Sequence, residues 1–398
     1  MSNQDHPSRR HILQGALATG TVAALFGFSA NDAEASASWP YAGQQGTCVI
    51  DSETGEVLVG ENAFQRCYPA SLTKVVTAMV VLDAIEAGEF SRGLDSRINP
   101  TRHGLSRARW DTPYAFKRMR ASDSFTIREA LHLVGGRSNN CLSTSLAEWT
   151  FDRLGLGTRS RRHFLQKMNE KADLIIREAL AQARNFNMGP EFERAYPNRR
   201  PDTNFLNADG LNNEGPGQIT NPWEFAHIMN YFYKNYREHA EEFFGSPTVD
   251  WPARGLRGIA VTHRLIPGNP AMNTSVDRSV YAFNQMDVDE ENEEFGPEAP
   301  LSAETTFVIA QRMVKAGKTG YLRVSRNNLA NVAEFNGRRV SGAVFGGHGA
   351  MSAVNRMSDA LVTAYGINRD MLIRPDADYT PPPPPPPRQP LPELPQLY

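Results

Sequence analysis

Two stretches in which apolar and polar residues alternate stand near opposite ends of the chain, and they limit what it can fold into. TCVIDSETGEVLVG (47–60) alternates apolar and polar residues around Thr54-Gly55. NLANVAEFNGRRVSGAVFGG (328–347) does the same around Asn336-Gly337. Each is the pattern of a β-hairpin, and Asn-Gly is a preferred two-residue turn. From about 75 to 240 the apolar spacing becomes helical, as in FTIREALHLV, LSTSLAEWTFDRLG and FAHIMNYFYKNY. Pro, Gly and acidic residues crowd 245–305, which reads as long loops, and AVNRMSDALVTAYG (353–366) reads as a closing helix. The expected class is α/β: one antiparallel sheet made by both ends of the chain and flanked by helices, with a mainly helical second lobe and a cleft between the two.

The formal net charge of −2 over 398 residues gives no global basic field, so no nucleic-acid partner is expected. The basic run RSRRH (159–163) and the acidic run DVDEENEEF (287–295) read as solvated faces. Cys48, Cys67 and Cys141 allow at most one internal bridge, and neither C-x-x-C nor H-E-x-x-H occurs. No metal, no cofactor and no required disulfide are expected.

Residues 1–35 read as a twin-arginine-type export signal: Arg9-Arg10, a modest apolar stretch, then a small-x-small end with the cut after Ala35. A globular unit over 39–370 and a proline-rich tail over 371–398 follow. Pro381–Pro387 favour a stiff polyproline II rod, a spacer or a docking peptide for a protein partner. Such a rod cannot serve as an amphipathic membrane anchor.

CYPASLTKVVTAMVVLDAIEAGEF (67–90) places Ser71 three residues before Lys74 at a helix start. Alone, the pair is an N-cap serine and a solvated lysine. Two further elements change that reading: Ser138-x-Asn140 in a loop before a helix, and Lys318-Thr319-Gly320 where strand signals resume. A hydroxyl is a weak nucleophile until a base takes its proton, and a desolvated lysine near other cations can be that base. Backbone N–H groups at the start of the helix can hold an oxyanion. Ser138 is suited to protonating a leaving amine, and Asn140 to orienting a substrate amide and Lys74. Lys318, kept charged, and Thr319 are suited to holding a carboxylate. Gly320 lets a substrate lie close along the strand edge.

On these motifs the chain resembles the low-molecular-mass penicillin-binding proteins of the serine-type D-alanyl-D-alanine carboxypeptidase family. TGEVLVGENAFQRCYPASLTKVVTAMVVL, KMNEKA, TNFLNADGL, KTGYL and GRRVSGAVFGG carry the likeness, which runs over about 45–366 apart from insertions. The resemblance implies the fold of serine β-lactamases and penicillin-binding proteins. It implies acylation of Ser71 by a peptidoglycan stem peptide, loss of D-Ala and then hydrolysis. The oxyanion donors it implies are the N–H groups of Ser71 and Tyr321. β-Lactam antibiotics become covalent inhibitors, and the twin-arginine-type signal makes export to the periplasm the expectation.

The segments from Asn169 to Phe205 and from Leu211 to Lys318 are long for the family and are candidates to roof the cleft or to mediate assembly. Ala208-Asp209 stands where Pro-His is familiar, Cys141 where an acid or amide is usual, and Ser325-Arg326 where a small pair is usual. A DD-endopeptidase shares this chemistry and differs in cleft width. A β-lactamase would need a glutamate-held water after Ser-x-Asn, and no convincing Glu-x-x-Leu-Asn is present. A non-catalytic envelope protein would not need all of Ser71, Lys74, Ser138, Asn140 and Lys318 together.

Overall fold

The computed structural model describes residues 39–367, apart from 112–113, 152–157, 213, 273–300 and 302. The expected export signal, the acidic run 287–295 and the proline-rich tail lie outside the described residues.

The first hairpin joins β1 (Gly46–Asp51) to β2 (Val57–Glu61). Its turn is held by the Asp51 carboxylate, which accepts the N–H groups of Glu53 and Thr54, both at 3.0 Å, while Gly55 supplies a positive φ of 76°. Two short pairs follow: β3 (Arg97–Ile98) with β4 (Phe125–Thr126), and β5 (Thr248–Trp251) with β6 (Leu256–Ala260). The second pair corrects the reading of 245–305 as loop throughout. Val249 and Trp251 are buried on β5, an alternation too short to stand out among the neighbouring prolines and glycines.

Then come β7 (Val314–Leu322), β8 (Arg326–Phe335) and β9 (Arg338–Gly347). Asn336 and Gly337 both have positive φ, as a two-residue type I′ turn requires. The main sheet has the order β2-β1-β9-β8-β7 and is antiparallel at every pairing. The two ends of the chain thus meet where β1 pairs β9, and β7 is left as an edge.

The helices are α1 (Lys74–Glu86), α2 (Arg102–Arg107), α3 (Tyr114–Lys117), α4 (Ile127–Arg137), α5 (Asn140–Trp149), α6 (Thr158–Gln182), α7 (Gly189–Ala195), α8 (Pro222–Asn235), α9 (Arg237–Phe244), α10 (Ala303–Met313) and α11 (Ala350–Tyr365). Opposite faces of β9 receive α8 and α11. The Phe345 ring meets Phe225 of α8 at 6.2 Å, whereas a side chain at Gly342 would meet Met357 of α11. Helix α1 is apolar around almost its whole circumference, with Val75, Val76, Ala78, Met79 and Val81 fully buried. It packs against α4, α5, α6 and α8, and so joins the sheet's covering helix to the helical lobe.

Helix α4 starts with a capping box. Thr126 Oγ1 accepts the Glu129 N–H at 3.1 Å, and the Glu129 carboxylate accepts the Thr126 N–H at 2.7 Å. Part of the first long segment packs against Phe64, just beyond the edge strand β2. Phe192 and Tyr196, on and just beyond α7, form an aromatic cluster with Phe64 and Trp223 at centroid distances of 5.2–6.1 Å.

Candidate active site

Ser71 lies in a 3₁₀ turn, Ala70–Thr73, that precedes α1, and it is not an N-cap. Ala70 takes a φ of 50°, a left-handed conformation that disfavours an L side chain by roughly 1–2 kcal/mol. Two glycines press on this turn. A Cβ at Gly210, whose φ is 82°, would fall 1.9 Å from the Ala70 carbonyl oxygen and 2.9 Å from the Ser71 nitrogen. A Cβ at Gly320 would lie 2.9 Å from the Pro69 oxygen. Gly320 therefore admits the Ser71 turn against β7, where the sequence had suggested room for substrate.

Lys74 is fully buried, which rules out the solvated first-turn reading. Its Nζ donates to Ser71 Oγ at 2.9 Å, to Asn140 Oδ1 at 2.8 Å and to the Asp209 carbonyl oxygen. Burial lowers its pKa to about 8; Asp209 and Asp111 oppose the fall and Arg107 adds to it. Asp209 forms a buried fork with Arg107, Nε to Oδ2 at 2.5 Å and Nη2 to Oδ1 at 2.8 Å, and Thr144 donates to the same carboxylate at 3.1 Å. Burial alone would raise Asp209, but the guanidinium outweighs it and holds the carboxyl below its ordinary value.

Asn140 is the first residue of α5. Asn139 caps that helix by accepting the Leu142 N–H, and the Asp111 carboxylate accepts the N–H groups of Asn140 at 2.6 Å and Cys141 at 3.2 Å. Cys141 is a buried free thiol. Ser138 ends α4 in the left-handed region, φ 58°. Lys318 is fully buried on edge strand β7, and its Nζ donates to the Thr319 carbonyl. Burial, then Lys74 and Arg137, push its pKa well below the ordinary lysine value.

A cavity of about 290 Å³ joins these parts. Ser71, Ser138, Asn140, Thr319, Gly320 and Tyr321 line it, with Lys74 and Lys318 buried in contact with its lining. The eight residues singled out in the sequence therefore converge. Four more were missed as working parts: Asp111, Arg107, Asp209 and Thr262, whose hydroxyl lies 2.7 Å from that of Thr319. Arg107 and Asp209 are 102 positions apart, and no local pattern links them. Among the described residues no group of three or more His, Cys, Asp or Glu is placed to hold a metal.

Residues 33–177 match the family model of the D-alanyl-D-alanine carboxypeptidases, peptidase family S11. The D-alanyl-D-alanine carboxypeptidase DacF of Bacillus subtilis (strain 168) is 27% identical over 124 residues, 31% of this chain and 28% of that protein. The match thus spans well under a third of that curated relative. Among solved structures, penicillin-binding protein D2 from Listeria monocytogenes in its cefotaxime-bound form superposes with a TM-score of 0.54 at 18% identity, covering 82% of this chain and 98% of that one. The D-alanyl-D-alanine carboxypeptidase from Mycobacterium tuberculosis H37Rv gives 0.54 at 18%, covering 84% and 96%. The resemblance to the serine-type D-alanyl-D-alanine carboxypeptidases is thereby borne out, over 33–177 by the family model and over most of the chain by a fold shared with penicillin-binding proteins.

Proposed function

We propose that the chain is a serine-type D-Ala-D-Ala carboxypeptidase that removes the terminal D-alanine from peptidoglycan stem peptides. The observation that carries this reading is the buried Lys74 Nζ, 2.9 Å from Ser71 Oγ and lowered to about 8. In its neutral form Lys74 takes the Ser71 proton as Oγ attacks the carbonyl of the penultimate D-Ala. The N–H groups of Ser71 and Tyr321 receive the oxyanion. Ser138 donates its hydroxyl proton to the departing D-Ala amine and is reprotonated by Lys74, which thereby regains its neutral form, and water then hydrolyses the ester on Ser71. Asn140 holds Lys74 and the substrate amide, while Lys318 and Thr319 take the terminal carboxylate. A β-lactam acylates the same Oγ as its ring amide opens.

The family match supports an exported cell-wall protein. No helix among the described residues is long and apolar enough to cross a membrane. Export by the twin-arginine signal to the periplasm, and a protein partner for the proline-rich tail, belong to the same proposal. The test is incubation with purified peptidoglycan pentapeptide and with a fluorescent penicillin. The wild type releases D-Ala and is labelled, and Ser71→Ala does neither. Cutting of cross-linked muropeptides into monomers, with the pentapeptide left intact and no free D-Ala released, would transfer the assignment to an endopeptidase.

A further inference from the structure

We propose that Asp111 is a positioning residue for Lys74, acting through Asn140; this rests on the proposed acylation of Ser71. Asp111 follows the 3₁₀ turn Ala108–Trp110, is 2% exposed and lines the same cavity as Ser71. The cap position of α5 is already filled by Asn139, so Asp111 takes the two N–H groups that this cap leaves, those of Asn140 and Cys141. Asn140 in turn accepts from Lys74 at 2.8 Å, and Lys74 donates to Ser71. A continuous line of hydrogen bonds and one residue's covalent frame thus runs from the Asp111 carboxylate to the nucleophile.

The charges facing Lys74 are Asp209 from the 207–211 loop, Arg107 from α2, Lys318 from β7 and Asp111. Asp111 itself faces Lys74 and Asp209. Arg107 and Asp209 are paired in a fork, which leaves Asp111 as the acid whose charge acts on Lys74 without a cation of its own. Burial raises the Asp111 carboxyl above the ordinary carboxylate range and lowers the Lys74 amine below the ordinary lysine value, which brings the two titrations towards each other. An ionised Asp111 keeps the proton on Lys74, and a neutral residue in its place releases it at lower pH.

The test is the pH profile of penicillin acylation in wild type, Asp111→Asn and Asp111→Glu. Asp111→Asn keeps the shape and one acceptor but removes the charge. Its acid limb should move down by about one pH unit, with a lower plateau as Asn140 loosens. Asp111→Glu should restore the position of the limb. A folded Asp111→Asn variant with an unmoved limb overturns the proposal. If that variant does not fold, NMR titration of the wild type decides: Asp111 and Lys74 signals that titrate independently of each other overturn the proposal, and linked titrations support it. If penicillin fails to acylate the wild type, the proposed function falls. The Lys74 titration, read by NMR in unreacted wild type and Asp111→Asn, then still decides the role of Asp111.

Discussion

Lys318 donates its Nζ to the main-chain carbonyl of its own neighbour Thr319, at 2.7 Å, and has no carboxylate partner among the described residues. Lys74 and Arg137 both act on it with like charge. A ligand carboxylate would supply an opposite charge and draw Lys318 back to its charged form. Binding of a ligand with a free terminal carboxylate should therefore take up a proton in a pH range below the ordinary lysine value of 10.5. Calorimetry in buffers of different ionisation enthalpy reads this directly. Lys318→Ala should abolish the uptake and slow acylation by free-carboxylate ligands by roughly 10²-fold, with a smaller effect on amidated ones. Equal slowing of both ligand types would remove the anchor role.

For Lys74 the sign is set by a folded value of about 8 against an ordinary 10.5. Acylation should rise with pH through about 8 as the neutral amine appears, and Lys74→Ala should abolish it at every pH. The unfolded chain binds more protons than the folded one between those two values. The penalty for burying Lys74 is thus full below about 8, shrinks as pH rises, and is gone above about 10.5. Denaturant titrations should show wild-type stability rising relative to Lys74→Ala between pH 8 and 10. A flat difference would mean that Lys74 is not held down by burial.

The Arg107–Asp209 fork lies beneath the carbonyl that accepts from Lys74. Asp209→Ala would leave the buried Arg107 guanidinium only the partly exposed Glu214 carboxylate, 3.6 Å from Nη1, and should cost about 3 kcal/mol in urea unfolding. Removing both charges, as Arg107→Met with Asp209→Ala, should recover most of that loss, because the desolvation penalty goes with the pair. A double variant no more stable than Asp209→Ala would argue that the fork's packing, and not its charge balance, matters.

The sequence disclosed the parts of this molecule that are local. Asn336-Gly337 and the alternation around it specify the β8–β9 turn, and Ser71, Ser138-x-Asn140 and Lys318-Thr319-Gly320 declare their chemistry by residue type and order. Other features depend on contacts that no window of sequence contains. The β5–β6 pair is held by Trp251 stacking on Phe116 at 5.3 Å, far away in the chain. Asp111 reads as an ordinary polar residue after a tryptophan until α5 is seen to begin against it. Ala208-Asp209 was visible as a departure from a familiar pair, yet its meaning needed Arg107. The bland reading of Lys74 as solvated failed for the same reason: its burial comes from α5 and the 207–211 loop, not from its own helix.

The last expectation concerns Gly210, because it separates backbone strain from contact with the nucleophile's turn. Gly210 and Gly215 both have positive φ, 82° and 104°, so alanine at either position is strained by about 1 kcal/mol or more. Only at Gly210 does the new Cβ collide with main chain, 1.9 Å from the Ala70 oxygen, whereas nothing lies within 4 Å at Gly215. Neither backbone atom can swing aside as a flexible side chain would. The Ser71 turn must shift or the loop must lift, and lifting the loop also withdraws the Asp209 carbonyl from Lys74. Gly210→Ala should lower the penicillin acylation rate on the order of 10²-fold, as misplacement by about an ångström does in a preorganised site. Gly215→Ala should lower the melting temperature while leaving that rate unchanged. Stopped-flow acylation with a fluorescent penicillin, alongside thermal melts, compares the two. Should Gly210→Ala acylate as fast as Gly215→Ala, the close approach of the 207–211 loop would be a matter of stability alone, with no part in holding Ser71 for attack.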